Sequence, residues 1–171
     1  MKTTVGYWFK IFVDKFSFVG WRGLLVFMIL IAGCQQNSGK REIEIYNKAI
    51  EDIKVESQYQ WLVVLPGLGC NGCIQEAEAF MKNHIEDERI LFVLTKISSL
   101  KILQQKTDIR IDEHTNIFVD RKDLFNIPTN NAIYLCVIQL RNGKIFTHSY
   151  QKPSNPALWK LEEQLLIMIS G

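Results

Sequence analysis

Two short runs of continuous apolar residues stand out in the middle of the chain, and each has the length of a buried β-strand. They are Trp61–Leu65 and Ile90–Leu94, and Pro66-Gly67 ends the first. Strands buried on both faces carry such runs, whereas a strand with one solvent face alternates. Between them, residues 74–85 repeat their apolar positions with helical spacing, which predicts a helix. A strand, a helix and a second strand in this order favour parallel pairing through a crossover.

Helical signals also occur before and after these elements. Residues 40–57 place apolar side chains on one face and charges on the other, which predicts an amphipathic helix. Ser98 or Ser99 is suited to cap a further short helix that continues to Lys106. Asn155-Pro156 predicts the start of a final helix, because Asn is a good N-cap and Pro suits the first helical position.

The chain between the last two helices is expected to be mainly extended. Residues 109–119 predict two short extended pieces, and residues 123–125 predict a helical turn. The apolar segments 132–138 and 144–150 are joined by Arg141-Asn142-Gly143, and Asn-Gly in such a place is a strong hairpin signal. Because a hairpin is antiparallel, the elements together predict an α/β fold with a mixed β-sheet flanked by helices on both faces.

The first 33 residues differ from the rest of the 171-residue chain in charge and in pattern. They hold four basic residues and one acidic residue, whereas residues 34–171 hold 16 basic and 17 acidic residues. This balance argues against a nucleic-acid-binding body, which would need a basic patch. Arg22 precedes the apolar run Leu24–Ala32, and small residues follow. A positive segment, a short apolar core and small residues are the order of a secretory signal.

The end of this segment, Ile31-Ala32-Gly33-Cys34, resembles the lipobox of bacterial lipoproteins. The resemblance implies cleavage after Gly33 and a lipid on Cys34, in the cell membrane or outer membrane with the body facing the periplasm. Residues 1–33 would be the signal peptide, residues 34–39 a tether and residues 40–171 one folded domain. The alternative is an uncleaved transmembrane anchor, although Arg22 interrupts the roughly 20 apolar residues that a spanning helix needs.

The motif Cys70-Asn71-Gly72-Cys73 follows the first predicted strand and opens the predicted helix. Cysteines three apart on a helix lie on one face, close enough for a disulfide. Free amides at a helix N terminus favour a thiolate, so Cys70 is the predicted nucleophile and Cys73 the resolving thiol. An inert structural disulfide, or a zinc or copper site, remains an alternative interpretation. Cys136, in a predicted strand, is expected to be a small buried hydrophobe.

With this motif after its first strand, the chain resembles the thioredoxin-like superfamily from Trp61 to the C terminus, and especially membrane-tethered periplasmic thiol–disulfide reductases. The resemblance implies disulfide exchange with exported proteins by Cys70 and Cys73, without metal or cofactor, and a membrane electron donor or small thiol that resets the pair. It also implies a substrate groove at Gly69, where the family often has Trp, and at a cis-proline, for which Pro128 is the candidate. Because Pro128 lies further ahead of Asn142-Gly143 than the family pattern has it, the alternative is a non-proline residue there, near Ala132 or Ile133. The alternative function is a thioredoxin-like lipoprotein that binds a partner, copper or zinc without catalysis.

Overall fold

The computed structural model describes residues 38–69 and 71–169. The predicted signal peptide, the predicted lipidation site Cys34 and the motif residue Cys70 lie outside the described residues. The first described helix, α1, covers residues 38–53. It therefore begins inside the predicted tether and ends four residues before the predicted helix end at residue 57.

Three further helices and five strands follow α1 in the described part of the chain. The strands are β1 (Trp61–Pro66), β2 (Ile90–Thr95), β3 (Ile117–Asp120), β4 (Cys136–Arg141) and β5 (Lys144–Tyr150). The helices are α2 (Asn71–His84), α3 (Leu100–Thr107) and α4 (Ala157–Ile169), with short 3-10 helices at Ile111–Glu113 and Asn130–Ile133.

The strands form one mixed sheet in the order β3-β2-β1-β4-β5. The first three strands are parallel, β4 runs antiparallel to β1, and β5 runs antiparallel to β4. The hairpin is confirmed, because Asn142 and Gly143 both have positive φ, as a tight turn between β4 and β5 requires. The predicted α/β fold with a mixed sheet is likewise confirmed.

Side chains of β1 alternate between two hydrophobic clusters, one on each face of the sheet. Trp61, Val63 and Leu65 pack with residues of α2, α3 and α4. Leu62 and Val64 pack with residues of α1 and of the β3–β4 connection. Because both faces are covered, every residue of β1 is buried, which explains its continuous apolar sequence.

The β3–β4 connection differs most from the sequence predictions. The turn predicted at residues 123–125 forms as a single hydrogen-bonded turn, in which the Asn126 amide donates to the Asp123 carbonyl at 3.2 Å. The buried Asp120 carboxylate holds it by accepting hydrogen bonds from the Leu124 and Phe125 amides at 3.0 and 2.9 Å. The strand predicted from residue 132 begins only at residue 136, since the Thr129 side chain accepts from the Asn131 amide and caps a 3-10 helix. Of the two extended pieces predicted within residues 109–119, only the second forms a strand.

Glu42 of α1 binds this connection to the hairpin. The residue is 2% exposed, and its carboxylate accepts hydrogen bonds from Thr129 Oγ1 at 2.5 Å, Asn131 Nδ2 at 2.9 Å and the Tyr150 hydroxyl at 2.9 Å. His148 Nε2 lies 3.7 Å from the same carboxylate. Burial raises the pKa of Glu42, but these hydrogen bonds and His148 outweigh burial and hold the pKa below its ordinary value. The helical pattern of residues 40–57 does not distinguish Glu42 from the exposed charges of this helix.

We expect Glu42→Gln to lower the free energy of unfolding by about 2 kcal/mol at neutral pH, because hydrogen bonds to a charged acceptor are stronger than those to an amide. Glu44→Gln, on an exposed position of the same helix, is the matched control and should change stability by less than about 0.5 kcal/mol. Urea unfolding of the full-length protein measures both. Equal midpoints for the two variants would contradict the structural role of Glu42.

The same carboxylate should make stability depend on pH. Because folding lowers the pKa of Glu42 from 4.5, the unfolded chain binds more protons in acid, and the stabilisation is lost as pH falls through the folded pKa. The deficit of Glu42→Gln relative to the parent protein should therefore be full above about pH 4.5 and shrink below it. Unfolding midpoints of both proteins from pH 7 to pH 3 measure this, and a constant deficit would refute the assignment.

Candidate functional site

The second cysteine of the motif lies in the first turn of α2. The helix begins at Asn71, three residues before the apolar pattern predicted, and Cys73 is half-buried and disulfide-bonded. The partner of this disulfide is not among the described residues. Cys70 precedes the helix directly in the sequence. No acidic residue occupies the first turn of α2, so no carboxylate there opposes the positive end of the helix dipole.

The loop before the motif packs closely on the residues that follow β2. A Cβ atom on Gly67 would lie 2.2 Å from the Lys96 carbonyl oxygen and 2.7 Å from Ile97 Cα, so only glycine fits. The Gly67 amide also donates to the Thr95 carbonyl at 2.8 Å. These contacts fix the loop at the carboxyl ends of the parallel strands β1 and β2.

The same loop meets the β3–β4 connection at Gly69. A Cβ atom on Gly69 would lie 2.6 Å from the Ile133 carbonyl oxygen and 3.8 Å from a side-chain carbon of Ile74. Ile133 ends the 3-10 helix and is 46% exposed. An exposed aliphatic residue therefore lies beside the residue that precedes Cys70.

Pro128, the candidate for the groove, does not occupy this position. The atoms nearest to a Cβ on Gly69 belong to Ile133 and Ile74, and Pro128 lies on the exposed chain before the 3-10 helix. The peptide bond between Ile127 and Pro128 is trans, so Pro128 is not the predicted cis-proline. All other peptide bonds within residues 38–69 and 71–169 are also trans. The residue that approaches Gly69 is Ile133, which is, with Ala132, the predicted non-proline alternative to Pro128.

Gln151 joins α2 to the C-terminal helix. Its side-chain nitrogen donates to Glu76 Oε1 at 2.8 Å, and its side-chain oxygen accepts from the Leu158 amide at 3.0 Å. Leu158 lies in the first turn of α4. Glu76, three residues after Cys73, is thus tied to the chain between β5 and α4.

Cys136 takes no part in this site. The residue is 1% exposed and its thiol is free. Burial raises the pKa of the Cys136 thiol to about 12, and the nearby Glu42 charge adds to this. The prediction of a small buried hydrophobe is confirmed, and a thiol with this pKa is a poor nucleophile near neutral pH.

Neither a metal cluster nor a spanning helix occurs in the part of the chain that the structure describes. Over these residues, no three His, Cys, Asp or Glu side chains come together in a way that could hold a metal ion. Over the same residues, every helix is too short or too polar to cross a membrane. The chain matches no protein-family model, no curated protein and no solved structure.

The close approach at Gly67 gives a test of how the loop is held. We expect Gly67→Ala to destabilise the protein by about 2 kcal/mol, since the added methyl group would overlap backbone atoms that cannot move independently. Gly72→Ala is the matched control, because nothing lies within 4 Å of its added Cβ and alanine favours a helix. Thermal unfolding of the oxidised full-length protein should separate the two. A neutral Gly67→Ala would show that the loop is not fixed by Lys96.

Proposed function

We propose that this chain is a lipid-anchored thiol–disulfide oxidoreductase with a thioredoxin-like fold, which exchanges disulfides in extracytoplasmic proteins. The observation that carries the proposal is the half-buried, disulfide-bonded Cys73 in the first turn of α2, with Cys70 directly before that helix in the sequence. Further support comes from the mixed sheet, in which the motif follows the central strand β1.

Cys70 is the partner that we propose for Cys73. Its spacing of three residues suits a disulfide across one helical turn, and Cys136 is a free buried thiol. A ring this short stabilises a fold by only about 2 kcal/mol on loop entropy, against roughly 3 kcal/mol for a 15-residue loop. A redox role therefore explains the bond better than a purely structural role.

The proposed reduction of a substrate proceeds in two exchanges. The Cys70 thiolate attacks one sulfur of the substrate disulfide, a mixed disulfide forms, and the other substrate sulfur leaves as a thiolate that takes a proton. The Cys73 thiolate then attacks the Cys70 sulfur, forms the Cys70–Cys73 disulfide and releases the second substrate thiol. Two electrons have passed to the substrate. A membrane electron donor or a small thiol returns them to the cysteine pair.

The surroundings of the motif favour the first exchange. Backbone amides at the start of α2 stabilise a thiolate, and no acid in the first turn opposes them. Gly67 and Gly69 hold the preceding loop between Lys96 and Ile133, so the start of the helix is fixed on two sides. The exposed side chains Leu68 and Ile133 offer apolar contact to a protein substrate.

The proposed anchor depends on the resemblance to a lipobox at Cys34. Cleavage after Gly33 would make Cys34 the first residue of the mature chain, and α1 begins only four residues later. The lipid on Cys34 and the folded domain would together give a membrane-anchored protein that acts on exported proteins. The polar run Gln35-Gln36-Asn37 would link the lipid-bearing residue to α1.

The two cysteines should have different roles in exchange. We expect Cys73→Ser to accumulate a mixed disulfide with a disulfide-bonded protein, because the resolving thiol is missing, whereas Cys70→Ser should accumulate none. Both should lower turnover by roughly 100-fold or more. Cys136→Ala is the matched control and should keep turnover near that of the parent protein, since the Cys136 thiol is buried. Non-reducing gels and turnover of the full-length protein in detergent measure these effects.

Unchanged turnover in both motif variants would refute the proposed enzyme activity.

The second candidate is a non-catalytic lipoprotein that binds a partner, copper or zinc. Two observations favour it: Gly69 stands where the family often has Trp, and the residue that lies against Gly69 is Ile133 and not a proline. Stoichiometric copper or zinc on the reduced protein, lost in Cys70→Ser, would support that candidate.

A further inference from the structure

An apolar cleft between α2 and α3 opens beside the cysteine motif and has no role in the exchange steps themselves. Its volume is about 120 Å³. Its apolar walls come from the ends of β1 and β2 and from both helices, namely Leu65, Leu94, Ile74, Ala77, Ile102 and Leu103. We refer to this feature as the α2–α3 cleft.

The α2–α3 cleft is continuous with the site. Ile74 follows Cys73 in the first turns of α2, and Gly67 belongs to the loop that precedes Cys70; both residues line the cleft. A substrate joined to the motif through a mixed disulfide would therefore have the residues next to its cysteine beside the opening of the α2–α3 cleft. Each extended residue spans about 3.3–3.6 Å, so side chains one to three residues from the attacked cysteine can reach it.

The charges at the cleft indicate an uncharged occupant. Glu78 and Lys106 are the charged residues among those that line it, and Lys106 Nζ lies 3.2 Å from Glu78 Oε1. The pair neutralises itself and leaves no charge for an ionic ligand. Ile102 is 54% exposed although it lines the cleft, so an apolar occupant would cover it.

The size of the cleft limits the occupant further. A dry protein cavity of about 150 Å³ holds a benzene molecule. The α2–α3 cleft is somewhat smaller, which suits one branched aliphatic side chain. Together, position, charge and volume describe a pocket for a residue such as Leu, Ile or Val.

We propose that the α2–α3 cleft is a specificity pocket, which binds an aliphatic side chain one to three residues from the substrate cysteine that Cys70 attacks. The inference rests on the proposed function and adds a substrate class to it: exported proteins whose reactive disulfide has an aliphatic neighbour. Burial of that side chain should favour its exchange over that of a polar counterpart by roughly tenfold to 100-fold.

The test uses the reduced full-length protein in detergent and three disulfides. Two are disulfide-bonded peptides that differ only in Leu or Ser two residues from the cysteine, and the third is oxidised glutathione, which has no aliphatic side chain to place in the cleft. We expect a kcat/KM about tenfold or more higher for the Leu peptide than for the Ser peptide. Ser98→Trp should fill the mouth, and Ile102→Ala should remove one wall; both positions are exposed, so the fold should tolerate both changes.

Both variants should lower the preference for the Leu peptide at least several-fold and leave the rate with glutathione unchanged. Leu166→Ala removes an exposed aliphatic residue from α4, away from the cleft lining, and should preserve the preference. Equal rates for both peptides, with normal reduction of glutathione, would contradict the specificity pocket but not the proposed oxidoreductase activity. No exchange with any of the three disulfides would overturn both the enzyme and the pocket.

Discussion

The buried carboxylate of Glu42 connects three parts of the chain that would otherwise be independent. Removing a carboxylate from water is costly, so an ionised group at 2% exposure requires its three hydrogen-bond donors. Those donors lie on the β3–β4 connection and on β5, while Glu42 itself belongs to α1. Asn131, one of them, lies two residues before Ile133, whose carbonyl oxygen faces Gly69. The loop before the cysteine motif is thus backed by a segment whose position depends on α1.

The other side of that loop depends on the parallel half of the sheet. In parallel sheets the carboxyl ends of neighbouring strands lie at one edge, so the residues after β1 and β2 meet there. Gly67 allows the two backbones to touch, and the motif begins three residues later. The start of α2 is therefore fixed by strand pairing from one side and by the Glu42 network from the other. Both are long-range constraints.

Sequence reasoning succeeded where structure is set by neighbours in the chain. The buried strands, the Asn142-Gly143 hairpin and the Ser99 cap of α3 follow from local patterns, and the structure has all of them. Glu42 shows the opposite case: its donors Thr129 and Tyr150 are 87 and 108 residues away, and helical periodicity offers a charged residue only the outer face. The contact between Gly69 and Ile133 is also long-range, and the sequence predicts Ile133 only as one alternative to Pro128.

The topology also explains why a pocket lies next to the cysteines. Helices α2 and α3 pack on the same face of the sheet, since Ala77 and Leu103 belong to one core cluster, and they follow the adjacent strands β1 and β2. The space between two such helices opens at the edge where the motif lies. The cysteines belong to the β1–α2 junction, whereas Ser98 and Ile102 belong to the β2–α3 unit. Because different units supply the cysteine motif and the outer wall of the cleft, substitutions in α3 would, under the proposed function, change substrate preference without altering the geometry of the exchange.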